Sequence, residues 1–254
     1  MKTKILIAMI VSALLLSSCG VLPDLGIGGR SQAEAEEELQ IQEIQAEPTK
    51  AALAEDQFFR EEFDNDINDE WGLRVVSGLE KQLIWSQNNG RFRLQTLPPN
   101  DVNFVFLNKE RTFDDVVVQA EVENFGPLDN FFSLICRANA EGWYEFRISS
   151  NGYSELLRFD QYKYAEGDNA YTSFTNKRIG STDIKSGLNK NTFALSCVDD
   201  LITAFINGEQ VYFEKRPLAV EDSTFSEGSI GFGILGYGKE LDMSYYWVEA
   251  VKPQ

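Results

Sequence analysis

Residues 130–151 read NFFSLICRANAEGWYEFRISSN, and their pattern decides the fold. Two runs of alternating apolar residues are joined by a short turn at residues 139–142 and closed by Asn151-Gly152, a pair suited to tight turns. The pattern predicts a β-hairpin entering a third strand. Successive side chains alternate across a strand, so Phe132, Leu134 and Cys136 fall on one side and Phe131, Ser133, Ile135 and Arg137 on the other. In the second run Tyr144, Phe146 and Ile148 oppose Trp143, Glu145 and Arg147. Pairing the two apolar sets predicts Cys136 in the core and gathers Arg137, Trp143, Glu145 and Arg147 on the opposite, more polar sheet face.

Similar runs extend on both sides of the hairpin, from residues 58–63 to residues 243–251, and turn chemistry such as Asn89-Gly90 and Asn207-Gly208 separates them. No long apolar pattern of helical period interrupts them. Many short strands at this spacing imply an antiparallel sandwich or barrel and exclude an α/β fold. The 254 residues, 43% hydrophobic and 12% aromatic, suffice for one full core plus appendages, with a lean towards β structure.

The formal net charge is −17, and removing a leader that carries Lys2 and Lys4 makes it two units more negative. Such a chain repels nucleic acid and anionic headgroups, so neither is an expected partner. The sequence holds no histidine. That excludes Ser-His-Asp and Cys-His nucleophile activation and imidazole ligation of zinc. The three cysteines, Cys19, Cys136 and Cys197, form no CxxC pair.

Residues 1–20 have the layout of a secretory signal: Lys2 and Lys4, an apolar run over residues 5–16, then small residues. The run is too short for a permanent membrane span. Leu16-Ser17-Ser18-Cys19-Gly20 resembles the bacterial lipoprotein box, which implies cleavage after residue 18 and acylation of Cys19. Gly20 in the place of an inner-membrane retention Asp points to the outer membrane or the cell surface. Residues 19–57 then read as an acidic, lipid-anchored tether. Ser31-Gln32-Ala33-Glu34 has capping-box spacing and opens an Ala/Glu/Gln-rich stretch, partly helical, that Pro48 ends. Its apolar positions keep no heptad, so a spacer is expected rather than a coiled coil.

Residues 58–254 form the expected globular domain. Phe59-Arg60-Glu61-Glu62-Phe63-Asp64 with Trp71, then Asn88-Asn89-Gly90-Arg91-Phe92 and Phe113-Asp114-Asp115-Val116-Val117-Val118, resemble the opening of a concanavalin A-like lectin/glucanase jelly roll. Leu134-Ile135-Cys136-Arg137, Trp143-Tyr144-Glu145-Phe146, Ala204-Phe205-Ile206-Asn207-Gly208 and Gly228-Ser229-Ile230-Gly231-Phe232 resemble its bacterial laminin-G-like or keto-disaccharide-hydrolase-like version. The resemblance implies an all-β, two-sheet antiparallel jelly-roll sandwich. Short turn and core motifs carry it, so it speaks to fold more than to activity.

Retaining glycosidases of this fold place Glu-x-Asp-x-x-Glu on one strand, so that alternate carboxylates share a face. The nearest match here is Glu240-Leu241-Asp242-Met243-Ser244-Tyr245, with Tyr245 where the acid should stand. The glucanase activity is therefore not carried over, and the reading favours a non-catalytic, surface-anchored domain that recognises carbohydrate or another envelope component. A carbohydrate-active enzyme of the same fold and a structural or assembly lipoprotein are the alternatives. The expected ligand-binding set is Arg93, Arg137, Trp143, Glu145, Arg147 and Arg158, an aromatic plate beside bidentate donors and a carboxylate that suits oligosaccharide or polysaccharide hydroxyls. Asp64, Asp66 and Asp69 offer oxygen ligands to calcium without a full calcium-loop signature; otherwise no cofactor is expected. Export, cysteine parity and apolar neighbours at Phe132, Leu134, Phe193 and Leu195 predict a Cys136–Cys197 disulfide between two core strands.

Overall fold

The computed structural model describes residues 57–67, 70–97 and 101–253. The leader, Cys19, residues 20–56 of the acidic tether and Asp69 lie outside the described residues. The first strands are β1 (Phe59–Glu61), β2 (Trp71–Ser77), β3 (Leu83–Gln87), β4 (Phe92–Thr96), β5 (Val102–Asn108) and β6 (Val116–Asn124). The central hairpin is β7 (Phe131–Ala138) and β8 (Gly142–Ser149), followed by β9 (Tyr153–Asp160), helix α1 (Gln161–Glu166), β10 (Tyr171–Ser173) and β11 (Ile179–Gly180). Then come β12 (Lys190–Val198), β13 (Leu201–Ile206), β14 (Glu209–Gln210), β15 (Tyr212–Phe213), β16 (Arg216–Pro217) and β17 (Ala219–Glu221). The last two strands are β18 (Ser229–Gly236) and β19 (Asp242–Val251). Among the described residues no helix is long and apolar enough to cross a membrane.

Two antiparallel sheets face one another. Sheet one runs β14-β13-β12-β6-β19-β4-β3, with β1 added to β19 and β17 to β13. Sheet two runs β10-β9-β8-β7-β18-β5-β2, with β11 added to β9, and β15 pairs with β16 in a separate ribbon. Strands distant in sequence lie side by side, β6 between β12 and β19 and β18 between β5 and β7, so this is the jelly-roll sandwich expected. The hairpin turns behave as their residues require. Asn89-Gly90 and Asn207-Gly208 have positive φ at both positions (54° and 64°, 51° and 89°), the geometry that matches strand twist in two-residue loops.

Phe132, Leu134, Cys136, Tyr144, Phe146 and Ile148 all enter the core between the sheets, as their alternation predicts. The Cys136–Cys197 disulfide crosses that core from β7 to β12, with the Cα atoms 6.6 Å apart. Two elements depart from the predicted runs. The ninth strand stops at Asp160, whose side chain caps α1 by accepting from the Lys163 N–H, and Gly167 closes the helix at φ +81°. The stretch that follows Asn207-Gly208 is not one continuous strand: Val211 sits in the core between β14 and β15.

Sheet two curls strongly. On its outer side β18 presents Gly231 and Gly233 between Ile135 and Ser133 of β7 and Leu107 and Val105 of β5. A Cβ on Gly233 would stand 2.4 Å from the Phe104 carbonyl oxygen, and one on Gly231 would stand 2.7 Å from the Phe106 carbonyl oxygen. Only glycine permits that approach, which lets β18 lie close against β5.

Candidate functional site

The curl overturns the expectation of an open platform on sheet two. Trp143, Phe159, Ile135, Val105, Ala138 and Ala170 form a second buried cluster on the outer side of this sheet. Trp143 has no exposed surface and stacks on Phe159, with ring centroids 3.8 Å apart. The two edges of the sheet meet above it. Arg74 of β2 donates to Gln161 of α1, the Tyr164 hydroxyl donates to the Val76 carbonyl at 3.0 Å, and Asn103 of β5 donates to the Tyr171 hydroxyl of β10 at 2.9 Å. The predicted face is therefore a second core layer.

Its polar members serve one another. Glu145 accepts from Trp143 Nε1 at 3.0 Å, from the Tyr171 hydroxyl at 3.0 Å and from Arg147 Nε at 2.6 Å. Glu145 is fully buried and Arg147 nearly so. Burial by itself would depress the Arg147 guanidinium, but the Glu145 carboxylate outweighs that effect and holds it above its ordinary value. Burial and then the Glu145 charge likewise raise the Tyr171 phenol. A saccharide has no path to these groups.

The other predicted binding residues are elsewhere. Two residues of β7, Cys136 and Arg137, oppose one of β18; this bulge puts Arg137 at φ +52° and breaks the alternation. The Arg137 side chain is buried at one end of the sandwich, donating to the Asp114 and Phe225 carbonyls and pairing with Asp115. Arg158 pairs in register with Tyr144 and lies on the opposite side of the sheet from Trp143, bound to Asp222 at 2.6 Å and to Thr224. Arg93 is on β4 of sheet one, where Nε donates to Asp242 at 2.7 Å. The expected set thus separates into four places. Of the acidic residues, Asp64 and Asp66 are exposed after β1 and Asp69 lies outside the described residues. Among the described residues no group of three acidic or cysteine side chains stands close enough to hold a metal ion.

The outer face of sheet one is open, and a second bulge furnishes it. In β19, Tyr245 pairs with Val122 and Trp247 with Glu121, so one residue is extra. Tyr245 and Val248 both point into the core, which leaves Tyr246 and Trp247 side by side on the outer face. Both are half-buried. The Arg60 guanidinium lies 4.2 Å from the Trp247 ring centroid, and the Lys190 ammonium lies 3.3 Å from that of Tyr246. The Tyr246 hydroxyl donates to Glu123; burial and then that carboxylate raise its phenol. Arg60 also reaches Glu62 at 3.0 Å and Glu249 at 3.7 Å, and Glu249 accepts from Gln119 at 2.9 Å. Two aromatic rings are thereby flanked by donors and acceptors on a rigid strand, the composition a polyol site needs.

Sequence reading passed over this pair. A legible signal did exist: the inward apolar positions run 243, 245 and then 248, 250, a change of phase that marks a bulge.

The architecture is that of the concanavalin A-like lectin/glucanase jelly rolls. A prokaryotic β-1,3-1,4-glucanase (lichenase) from a mouse hindgut metagenome superposes with a TM-score of 0.53 at 14% identity, over 76% of this chain and 98% of its own. The Bacillus licheniformis β-glucanase superposes at 0.54 with 12% identity, over 77% and 98%. The laminarinase catalytic domain from Thermotoga maritima gives 0.54 with 8% identity, over 77% and 97%. No family model matches the chain, and no curated protein does. At these identities the likeness concerns the fold.

Proposed function

We propose that this domain is a non-catalytic saccharide-recognition module, held at the cell envelope by acylated Cys19 and the acidic segment that follows. The bulge in β19 carries this reading, because it alone turns Tyr246 and Trp247 together onto an open sheet face. Sugars present an apolar C–H face and a rim of hydroxyls; the two rings supply the plate, and Arg60, Gln119, Glu123 and Glu249 supply the rim. Ligand must displace Arg60 or Lys190 from the rings. Both side chains are two-fifths or more exposed (40% and 46%), so each displacement costs only about 0.5–1 kcal/mol. Glu145, buried and ion-paired, is out of reach of a glycosidic oxygen and cannot serve as a general acid. The fold shared with glucanases agrees with a carbohydrate partner.

Titration of the domain against oligosaccharides that an array identifies as ligands tests the proposal. Trp247→Ala and Tyr246→Ala should each weaken binding at least tenfold with the thermal midpoint near that of wild type. Unchanged affinity in both variants sinks it.

A further inference from the structure

We infer that the site takes a long, uncharged polysaccharide chain laid along β12, an inference that rests on the saccharide reading above. A groove of about 440 Å³ opens on the same outer face. Its floor is β12, through Thr192, Ala194, Ser196 and Val198; Phe205 of β13 forms one wall, and Val117, Val251 and Pro253 form the other. That volume lies within the ordinary range for ligand clefts. From Thr192 to Val198 the strand advances six residues, roughly 20 Å at about 3.3 Å per residue, which is room for several linked sugar rings.

The groove and the aromatic pair are one surface. Thr192, at the end of the groove, pairs with Glu121, and Glu121 pairs with Trp247, so only two strand spacings, roughly 10 Å, separate the groove from the indole. Further along, Ala194 pairs with Gln119, which hydrogen-bonds to Glu249 beside Arg60. A chain stacked on Trp247 therefore continues into a trough whose walls are apolar and whose rim carries the Gln119 amide, the Thr192 hydroxyl and the Lys252 ammonium.

Charge selects the class of polymer. The chain as a whole is strongly acidic, and on this face the cations are matched, Arg60 with Glu62 and Glu249, Arg93 with Asp242 and Lys190 with Glu121, with the single Lys252 at the rim as the exception. An anionic polymer would meet the net negative field without a cluster of free cations to offset it, and a cationic one would have to break these pairs. A neutral polyol can use the paired groups as donors and acceptors where they stand.

Calorimetric titration with size ladders of neutral gluco-, xylo- and manno-oligosaccharides, from disaccharide to hexasaccharide, tests this in the full chain. Affinity should rise at least tenfold along at least one ladder, and uronic-acid oligomers of equal length should bind more weakly. Ser196→Trp, which fills the trough, should bring the hexasaccharide down to the affinity of the disaccharide; Phe205→Ala, which removes a wall, serves if the first variant fails to fold. A flat affinity along every ladder in a wild type that still binds disaccharide overturns the groove but leaves the Trp247 site standing, as does an unaltered slope in the folded variants. Absence of binding by every ladder overturns both.

Discussion

Arg147 and Glu145 meet at 2.6 Å on the outer side of sheet two, and both are buried beneath Tyr171. Alternation along β8 put the two side chains on one face beside Trp143; curvature of the sheet then removed that face from water. A buried pair is fragile to loss of one partner, because the remaining charge stays in a low dielectric. Glu145→Ala should lower stability by about 3–5 kcal/mol in urea unfolding. Replacing both residues with apolar side chains should cost clearly less than the sum of the single losses.

Trp143 is core. Trp143→Ala should destabilise by about 3–5 kcal/mol, a cavity effect, while the folded fraction keeps its affinity for oligosaccharides. Urea unfolding and titration on the same preparation check the two halves of this outcome. A fall in affinity with an unchanged unfolding midpoint would contradict the closed face described above.

The Cys136–Cys197 bond closes a loop between residues 61 apart in sequence and ties the two sheets together. Chain-entropy considerations assign such a loop about 4 kcal/mol. Denatured, unreduced protein should show no titratable thiol at these two positions, and Cys136→Ala/Cys197→Ala should shift the urea midpoint downward accordingly. Because the loop is closed in the unfolded chain as well, the m-value should rise when the bond is removed.

Alkaline pH should find a weak point at Tyr144. Burial, and after it the hydrogen bond to Asp222, push this phenol up to about 12, against about 10 in the unfolded chain. The folded protein then holds a proton that the unfolded chain releases. Stability from this group is whole below about pH 10 and is lost as pH rises through about 12. Tyr144→Phe should flatten part of the decline in unfolding free energy between about pH 10 and about pH 12, with Tyr171 and Tyr245, also raised by burial, accounting for the rest.

Acylation of Cys19 is the prediction for the N-terminus. Intact-mass analysis of protein expressed with its leader should show cleavage before Cys19 and a diacylglyceryl addition, and Cys19→Ala should abolish partition into the detergent phase. Identical partition of the variant would end the lipid-anchor proposal.

Local alternation and turn chemistry determined much of this protein. Period-two runs and Asn-Gly pairs specify strands and hairpins through contacts between near neighbours, so the all-β sandwich, the inward set from Phe132 to Ile148 and the Cys136–Cys197 bridge were legible before any coordinate. Helix α1 was within reach too, in Asp160 and Gly167 at its two ends. The binding face was decided elsewhere. Parity says which residues share a side of a strand; it does not say whether that side meets water, and sheet two is closed by contacts between β2, β5, β10 and α1, elements distant in sequence. Likewise one extra residue in β19 exchanges the phase of the strand, which is why Tyr246 and Trp247 stand on the open face while Arg137, at the bulge in β7, is turned away from Trp143. Curvature and bulges arise from the fit of whole sheets over the core, and that fit exists only in the folded chain.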